Sequence, residues 1–295
     1  MRIAQSLYGD VEVPAAPQRV FAFDEYSGAV LLAAGIEPVG AFSQYFAQLP
    51  QQILSDAGVD VQEATYGSWN YEAIATYEPD MIVMIDVDEQ VAGALSDIAP
   101  TVVLPFTGAL WRDALAAIGE ATGDTSQATS IAAGIEARID DIAAGLDDET
   151  VLSLLGSGPL FGTYSLGIDV PTGAVIDEAG FTRPAAQQTE ATLGALTQLS
   201  PEQLGDHDGD VVVIFAGDES WADRPTLEGL PTFGVLPAVT DGRVVEVLGE
   251  VWTNSDPFSI FWAVEDLAAI AAGESPGTLD DLDTRWSDYL ALATS

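Results

Sequence analysis

The sequence predicts two α/β lobes, each built on a buried parallel sheet, joined by one long helix. Three observations predict it. Segments of the first half recur in the same order in the second half. The strand candidates are continuous apolar runs lying between helical segments, the pattern of strands covered on both faces. Between the halves lies a long Pro-free stretch with apolar residues at helical spacing.

The elements follow in order. A strand ending near Asp24 leads into Ser27–Gly35 (SGAVLLAAG), which reads as a helix capped by Ser and ended by Gly; Thr172–Gly180 (TGAVIDEAG) reads the same way. Asn70–Asp80 (NYEAIATYEPD) runs into the apolar Met81–Ile85, and Ser200–Asp210 (SPEQLGDHDGD) into Val211–Phe215. Each of these has a cap residue, then a Glu (Glu72, Glu202), then an Asp just before the strand (Asp80, Asp210). Leu95–Leu104 and Leu236–Val247 close the two halves, each ending in an apolar strand. Three matches in one order imply a duplication.

Between the halves, Ile131, Ile135, Ile139, Ile142 and Leu146 mark one helix from Thr125, which at 1.5 Å per residue is about 33 Å long. Trp111–Ala121 reads as a shorter helix before it, with Gly123 and Asp124 as the break. The expected division is an N-terminal lobe over 1–109, connecting helices over 110–148, and a C-terminal lobe with a helical tail over 149–295. Trp286 and Tyr289 suggest that the tail is a packed helix. The fold class is therefore α/β, two Rossmann-like parallel-sheet lobes joined by one long α-helix, with a ligand cleft expected between the lobes.

Composition narrows the function. The 295 residues carry 47 Asp plus Glu against 8 basic residues, every one of them Arg, for a net charge of -39. Such a chain repels phosphate backbones and anionic lipid, which argues against nucleic-acid binding. It fits a solvated acidic surface adapted to salt. Cysteine is absent, so disulfides, thiolate nucleophiles and Cys-based metal sites are excluded. No apolar run reaches the ~20 residues of a bilayer-spanning helix. Met1 stands before a segment that reads as mature protein, with no signal peptide.

Several stretches carry a resemblance. Pro17–Asp24 (PQRVFAFD), Gly35–Gly40 (GIEPVG), Tyr66–Ile74 (YGSWNYEAI), Glu78–Val83 (EPDMIV), Ile98–Val103 (IAPTVV), Leu236–Val239 (LPAV) and Asp241–Val244 (DGRV) resemble the siderophore, haem and cobalamin binding proteins of ABC importers. The resemblance runs from about Val11 to about Gly273. It implies a monomeric extracytoplasmic protein, periplasmic or a cell-surface lipoprotein anchored through a segment upstream of Met1. Such a protein captures a ferric siderophore between its lobes and delivers it to a membrane permease. Haem or cobalamin is the alternative ligand, with Tyr26, Tyr45 and Tyr164 available to haem as axial ligands. Iron arrives wrapped by its chelator, so no cofactor and no protein ligand to the metal are expected. The resemblance further implies that Glu72 and Glu202, matched carboxylates at the second position of a helix in each half, dock into arginine pockets of the two permease subunits.

Ligands of open parallel sheets collect beyond the carboxyl ends of the strands. Residues expected there in the first lobe are Tyr26, Tyr45, Phe46, Trp69, Asp86, Asp88 and Trp111. Those in the second lobe are Phe161, Tyr164, Trp221 and Trp252. Aromatic rings on such loops offer broad, rigid contact. Arg112, Arg183 and Arg224 lie in or beside the same loops, where they would meet an anionic ferric chelate.

Other classes fit poorly. His207, the single histidine, reads as part of a solvated loop and makes a His-rich metal site untenable. There is no Gly-x-Ser-x-Gly elbow, and a phosphate loop at Gly156–Gly158 would lack its lysine. The proximity of Asp86 and Asp88 carries no weight as a glycosidase pair in so acidic a chain. The chain is read as a binder, not an enzyme.

Overall fold

The computed structural model describes all residues except 46, 86–87, 106–110, 147–149, 159–161, 169, 189–195, 217–223 and 295. They form two compact units, Met1–Gly134 with Asp256–Phe258 and Leu282–Ser295, and Ile135–Ser255 with Ser259–Asp281.

The first unit opens with an antiparallel pair, β1 (Arg2–Ala4) and β2 (Val11–Val13). Then follow β3 (Val20–Ala22), α1 (Glu25–Ala33), β4 (Gly40–Ser43), α2 (Gln48–Asp56), β5 (Val61–Glu63), α3 (Tyr71–Thr76), β6 (Met81–Ile85), α4 (Glu89–Ser96), β7 (Thr101–Leu104) and α5 (Trp111–Thr122). The five strands from β3 onward are all parallel, in the order β5-β4-β3-β6-β7. Alternation decides the faces. Val20, Ala22, Met81, Val83, Val102 and Leu104 pack with α1 and α5 on one side. Phe21, Phe23, Ile82, Met84 and Val103 pack with Ile74 of α3 and Leu95 of α4 on the other. Both faces are covered, so the strands are apolar throughout.

The long helix is α6 (Thr125–Gly145), and it supplies residues to both units. Ile131, Ile135, Ile139 and Ile142 are all buried along it, as their spacing predicts.

The second unit contains β8 (Leu152–Gly158), β9 (Gly162–Leu166), α7 (Gly173–Glu178), β10 (Leu196–Gln198), β11 (Val211–Ala216), α8 (Arg224–Glu228), α9 (Pro237–Thr240), β12 (Val244–Leu248), α10 (Gly249–Trp252) and most of α11 (Pro257–Ala272). Its sheet runs β10-β9-β8-β11-β12. Here β8, β11 and β12 are parallel, while β9 turns back antiparallel on β8 and β10 on β9. The parallel core is as expected, and the antiparallel β9, with β10 at the edge beyond it, is an addition to it.

The duplication has a physical basis. Gly35 and Gly180 end their helices at φ 72 and φ 86, a region open to glycine and costly to other residues. The paired aspartates also share a role. Asp80 accepts the backbone N–H groups of Gln18 (2.8 Å) and Arg19 (3.0 Å) just before β3, and Asp210 accepts that of Val151 (2.9 Å) just before β8. Each carboxylate fixes the entry of the central strand of its sheet. The caps differ from the sequence reading. Asp24 caps α1, with Ser27 completing a capping box, and Thr172 makes no side-chain cap bond.

The tail forms a 3₁₀ turn (Leu279–Asp281) and α12 (Leu282–Leu292). The sequence grouping placed it with the second lobe. Instead α12 belongs to the first unit, with Phe258 against Trp286 (5.0 Å) and Tyr289 (5.4 Å).

Candidate functional site

In the first unit the chain leaves β3 toward β4 and β5 on one side and later places β6 on the other. The loops after β3 and β6 therefore diverge, and such a switch point is where ligands bind open α/β sheets. Asp24 sits at this point. Its buried carboxylate accepts the N–H of Ser27 (2.7 Å) and that of Ile85 (2.9 Å) at the end of β6. Burial pushes its pKa up to about 7, although the two backbone bonds pull it down.

The next residue, Glu25, is also fully buried, and its carboxylate receives three backbone N–H groups, from Gln44 (2.9 Å), Tyr45 (2.9 Å) and Ala47 (3.1 Å). The loop between β4 and α2 is thereby tied to the start of α1. Gln44 in turn donates to the carbonyl of Phe23 (3.2 Å) and accepts from the indole N–H of Trp69.

On this frame stands a row of rings. Tyr26 meets Tyr45 at 5.9 Å between centroids, Tyr45 meets Tyr66 at 5.8 Å, and Tyr66 meets Trp69 at 5.7 Å. Trp69 rests on Phe23 at 5.5 Å, which roots the row in the core. A tight turn, with Ser68 N–H bonded to Thr65 carbonyl at 2.8 Å and Gly67 at φ 81, holds Tyr66 outward at 57% exposure. The surface beyond the ends of β3, β4 and β5 is thus aromatic and pre-organised.

Tyr26, Tyr45 and Trp69 therefore lie in one row. Tyr66 joins them but was not singled out in the sequence; its place beside Trp69 in the turn Thr65–Ser68 was the available signal. Asp88 is exposed and caps α4 through the N–H of Gln90 (2.7 Å). Trp111 is fully buried at the start of α5, with the Arg112 guanidinium carbon 4.2 Å from its ring centroid. Phe46, Asp86, Phe161 and Trp221 lie outside the described residues.

Three expectations in the second unit are corrected. Tyr164 lies within β9 and opposite Gly156, because the chain doubles back after β8, and its ring is buried. Trp252 has 0% exposure, packs on Phe215 and donates its indole N–H to the buried Asp266 (3.0 Å). It serves the core of its unit. Arg183 is buried as well, donating to the carbonyls of Gly167 (2.8 Å) and Leu166 and to the amide oxygen of Gln187 (2.9 Å). Arg224 is more exposed but is held by Glu228 (2.8 Å) and Glu246 (2.9 Å), carboxylates that raise its pKa further.

His207 is buried, not solvated, and burial lowers its pKa while Asp206 opposes and Arg183 adds to the shift. Glu72 is exposed at the second position of α3, whose first turn is capped by Asn70 onto the N–H of Ala73 (3.1 Å). Glu202 is exposed at the second position of a 3₁₀ helix (Pro201–His207) capped by Ser200. Among the described residues no cluster of His, Cys, Asp and Glu is placed to hold a metal ion, and no helix is long and apolar enough to cross a membrane.

Two α/β units on parallel sheet cores, with an aromatic surface at a strand-end switch point, define a two-lobed binding protein. The periplasmic binding protein family matches residues 26–249, and the chain belongs to that family. The probable siderophore-binding lipoprotein YfiY of Bacillus subtilis is 29% identical, over 82% of this chain and 78% of its own length. The iron(3+)-hydroxamate-binding protein YxeB of the same organism is 26% identical, over 88% of this chain and 82% of its own length. Among solved structures, Staphylococcus aureus SirA complexed with staphyloferrin B shares the fold at a TM-score of 0.75 and 21% identity, covering 92% of this chain and 99% of that one. The siderophore periplasmic binding protein from the fuscachelin gene cluster of Thermobifida fusca superposes at 0.65 with 26% identity, over 94% of this chain and 98% of its own.

Proposed function

We propose that this chain is the extracytoplasmic substrate-binding protein of an ABC importer and holds a ferric siderophore on its strand-end surface. The observation that carries the reading is the row Tyr26–Tyr45–Tyr66–Trp69, tied down by Glu25 and Gln44. A large, rigid chelate is well matched by rings that lose little freedom on contact. The names of the relatives support the same ligand class. Catalysis is no part of the reading, and iron is cargo, not a resident cofactor. Glu72 and Glu202, both exposed, are the proposed contacts with the permease, and the protein acts as a monomer.

Tryptophan fluorescence tests the ligand. A ferric siderophore should quench emission saturably, and Tyr66→Ala should weaken binding by at least about tenfold, the effect of removing a central aromatic contact. Absence of saturable quenching by any ferric chelate would defeat the proposal. Saturable binding of haemin with a new Soret band would transfer it to haem. Charge reversal at Glu72 and Glu202 should abolish uptake while leaving chelate affinity unchanged; equal uptake would remove the docking assignment.

A further inference from the structure

We infer that the ferric chelate carried by this protein bears no net negative charge, and that it is a tris-hydroxamate, not a tris-catecholate or a polycarboxylate. The inference rests on the proposed function and narrows its ligand. It comes from the whereabouts of every cation in the chain.

The chain contains eight Arg and no Lys, and all eight Arg are described. Arg2 packs against Gly123 at the far end of α5, about 18 Å of helix from Trp111. Arg19 precedes β3, at the opposite end of the strand from the site, and donates to the carbonyls of Tyr77 and Glu78. Arg138 pairs with Glu265. Arg183 is buried among carbonyls. Arg224 is shared by Glu228 and Glu246, and Arg243 pairs with Asp210 and Asp241 before β12 begins. Arg112 stacks on Trp111, and neither it nor Arg285 on α12 is free. The residues outside the described ones add nine carboxylates, Asp86, Asp218, Glu219 and Asp223 among them, and no cation.

The aromatic surface has acidic neighbours instead. Glu25 lies beneath it, Glu63 is exposed at the end of β5, and Asp88 is exposed beyond β6. High-spin iron(III) with three catecholates is a trianion, and a polycarboxylate complex is also anionic. Neither finds a charge-assisted donor here, and each meets like charge. Three hydroxamates, each singly charged, neutralise iron(III) and leave a chelate with apolar linkers and carbonyl edges. Rings suit that surface. A pendent ammonium on the chelate would be welcome beside Asp88 and over the ring faces.

The experiment keeps the iron coordination fixed and varies the charge. The probes are a linear ferric tris-hydroxamate with a free terminal amine, its N-acetylated form and its N-succinylated form, together with a ferric tris-catecholate. Each is titrated by fluorescence at a salt concentration where the melting curve shows the chain folded. The amine form should bind at least as tightly as the acetylated one. The succinylated form should be at least about fivefold weaker and the tris-catecholate at least about tenfold weaker, the size expected for unpaired like charge at an interface. A tris-catecholate or succinylated chelate that binds as tightly as the neutral one overturns the inference and leaves the transport reading standing. If no ferric chelate of any charge binds, the transport reading itself falls.

Discussion

Glu25→Gln is the sharpest test of how the site is held. One carboxylate oxygen of Glu25 takes the N–H of Gln44, and the other takes those of Tyr45 and Ala47, at 2.9, 2.9 and 3.1 Å. Glutamine keeps the shape but only one acceptor oxygen. With that oxygen toward Tyr45 and Ala47, its NH2 faces the N–H of Gln44, donor against donor. Leaving one buried amide unmade costs about 1–3 kcal/mol, and the two remaining bonds lose their charge assistance, about 1 kcal/mol each. Relief from burying a charge offsets part of this, so the net loss is about 2–3 kcal/mol. For a chain of this size each kcal/mol lowers Tm by about 2–4 °C, giving a fall of about 4–12 °C by circular dichroism. The same loop carries Tyr45 and the acceptor for Trp69, so chelate affinity should fall with it, by about tenfold. A variant that melts within about 1 °C of the parent and binds unchanged would refute the claim that this carboxylate organises the site.

Three further outcomes are expected. Trp252→Phe removes the donor to buried Asp266 and should cost about 1–3 kcal/mol of stability with chelate affinity unchanged; the reverse pattern would return Trp252 to the ligand. Asp24 titrates near about 7 when folded against an ordinary 3.8, because burial favours its neutral form. The folded state then holds a proton that the unfolded chain releases, so this contribution is complete below about pH 4 and is lost as pH rises to about 7, by at most about 4 kcal/mol. Asp24→Asn should flatten that part of the urea-midpoint profile, and an identical profile would exclude the effect. A net charge of -39 repels itself in dilute buffer. Tm should therefore climb steeply as sodium chloride shortens the Debye length from ~10 Å at 0.1 M to ~3 Å at 1 M, whereas an uncharged osmolyte at equal osmolarity should do less.

Much of the scaffold was legible because it is written in local spacing. The isoleucines of α6 recur every three or four residues, and the strands β6, β7 and β11 are apolar runs between helices. Repeated Asp80 and Asp210 mark the same bond made twice. What spacing does not carry is the partner across space. Tyr164 follows a strand in sequence, yet a hairpin returns it into the sheet. Trp252 follows β12, yet its indole is claimed by Asp266, fourteen residues on in α11. Tyr66 stood in the quoted motif YGSWNYEAI, but only the turn around Gly67 reveals that it is turned outward to complete the row.

The arginines teach a related point about acidic chains. With 47 carboxylates against eight guanidiniums, an Arg near a strand end is readily claimed by an Asp or Glu of the protein itself. Arg224 shows the outcome, bound to two glutamates at once. Recognition by cations is thus starved by the same composition that suits the surface to salt. Recognition by rings is not. Apolar burial is not screened by ions, and excluded salts strengthen it. An acidic surface and an aromatic ligand site are therefore compatible under one condition, that the ligand bring no negative charge of its own.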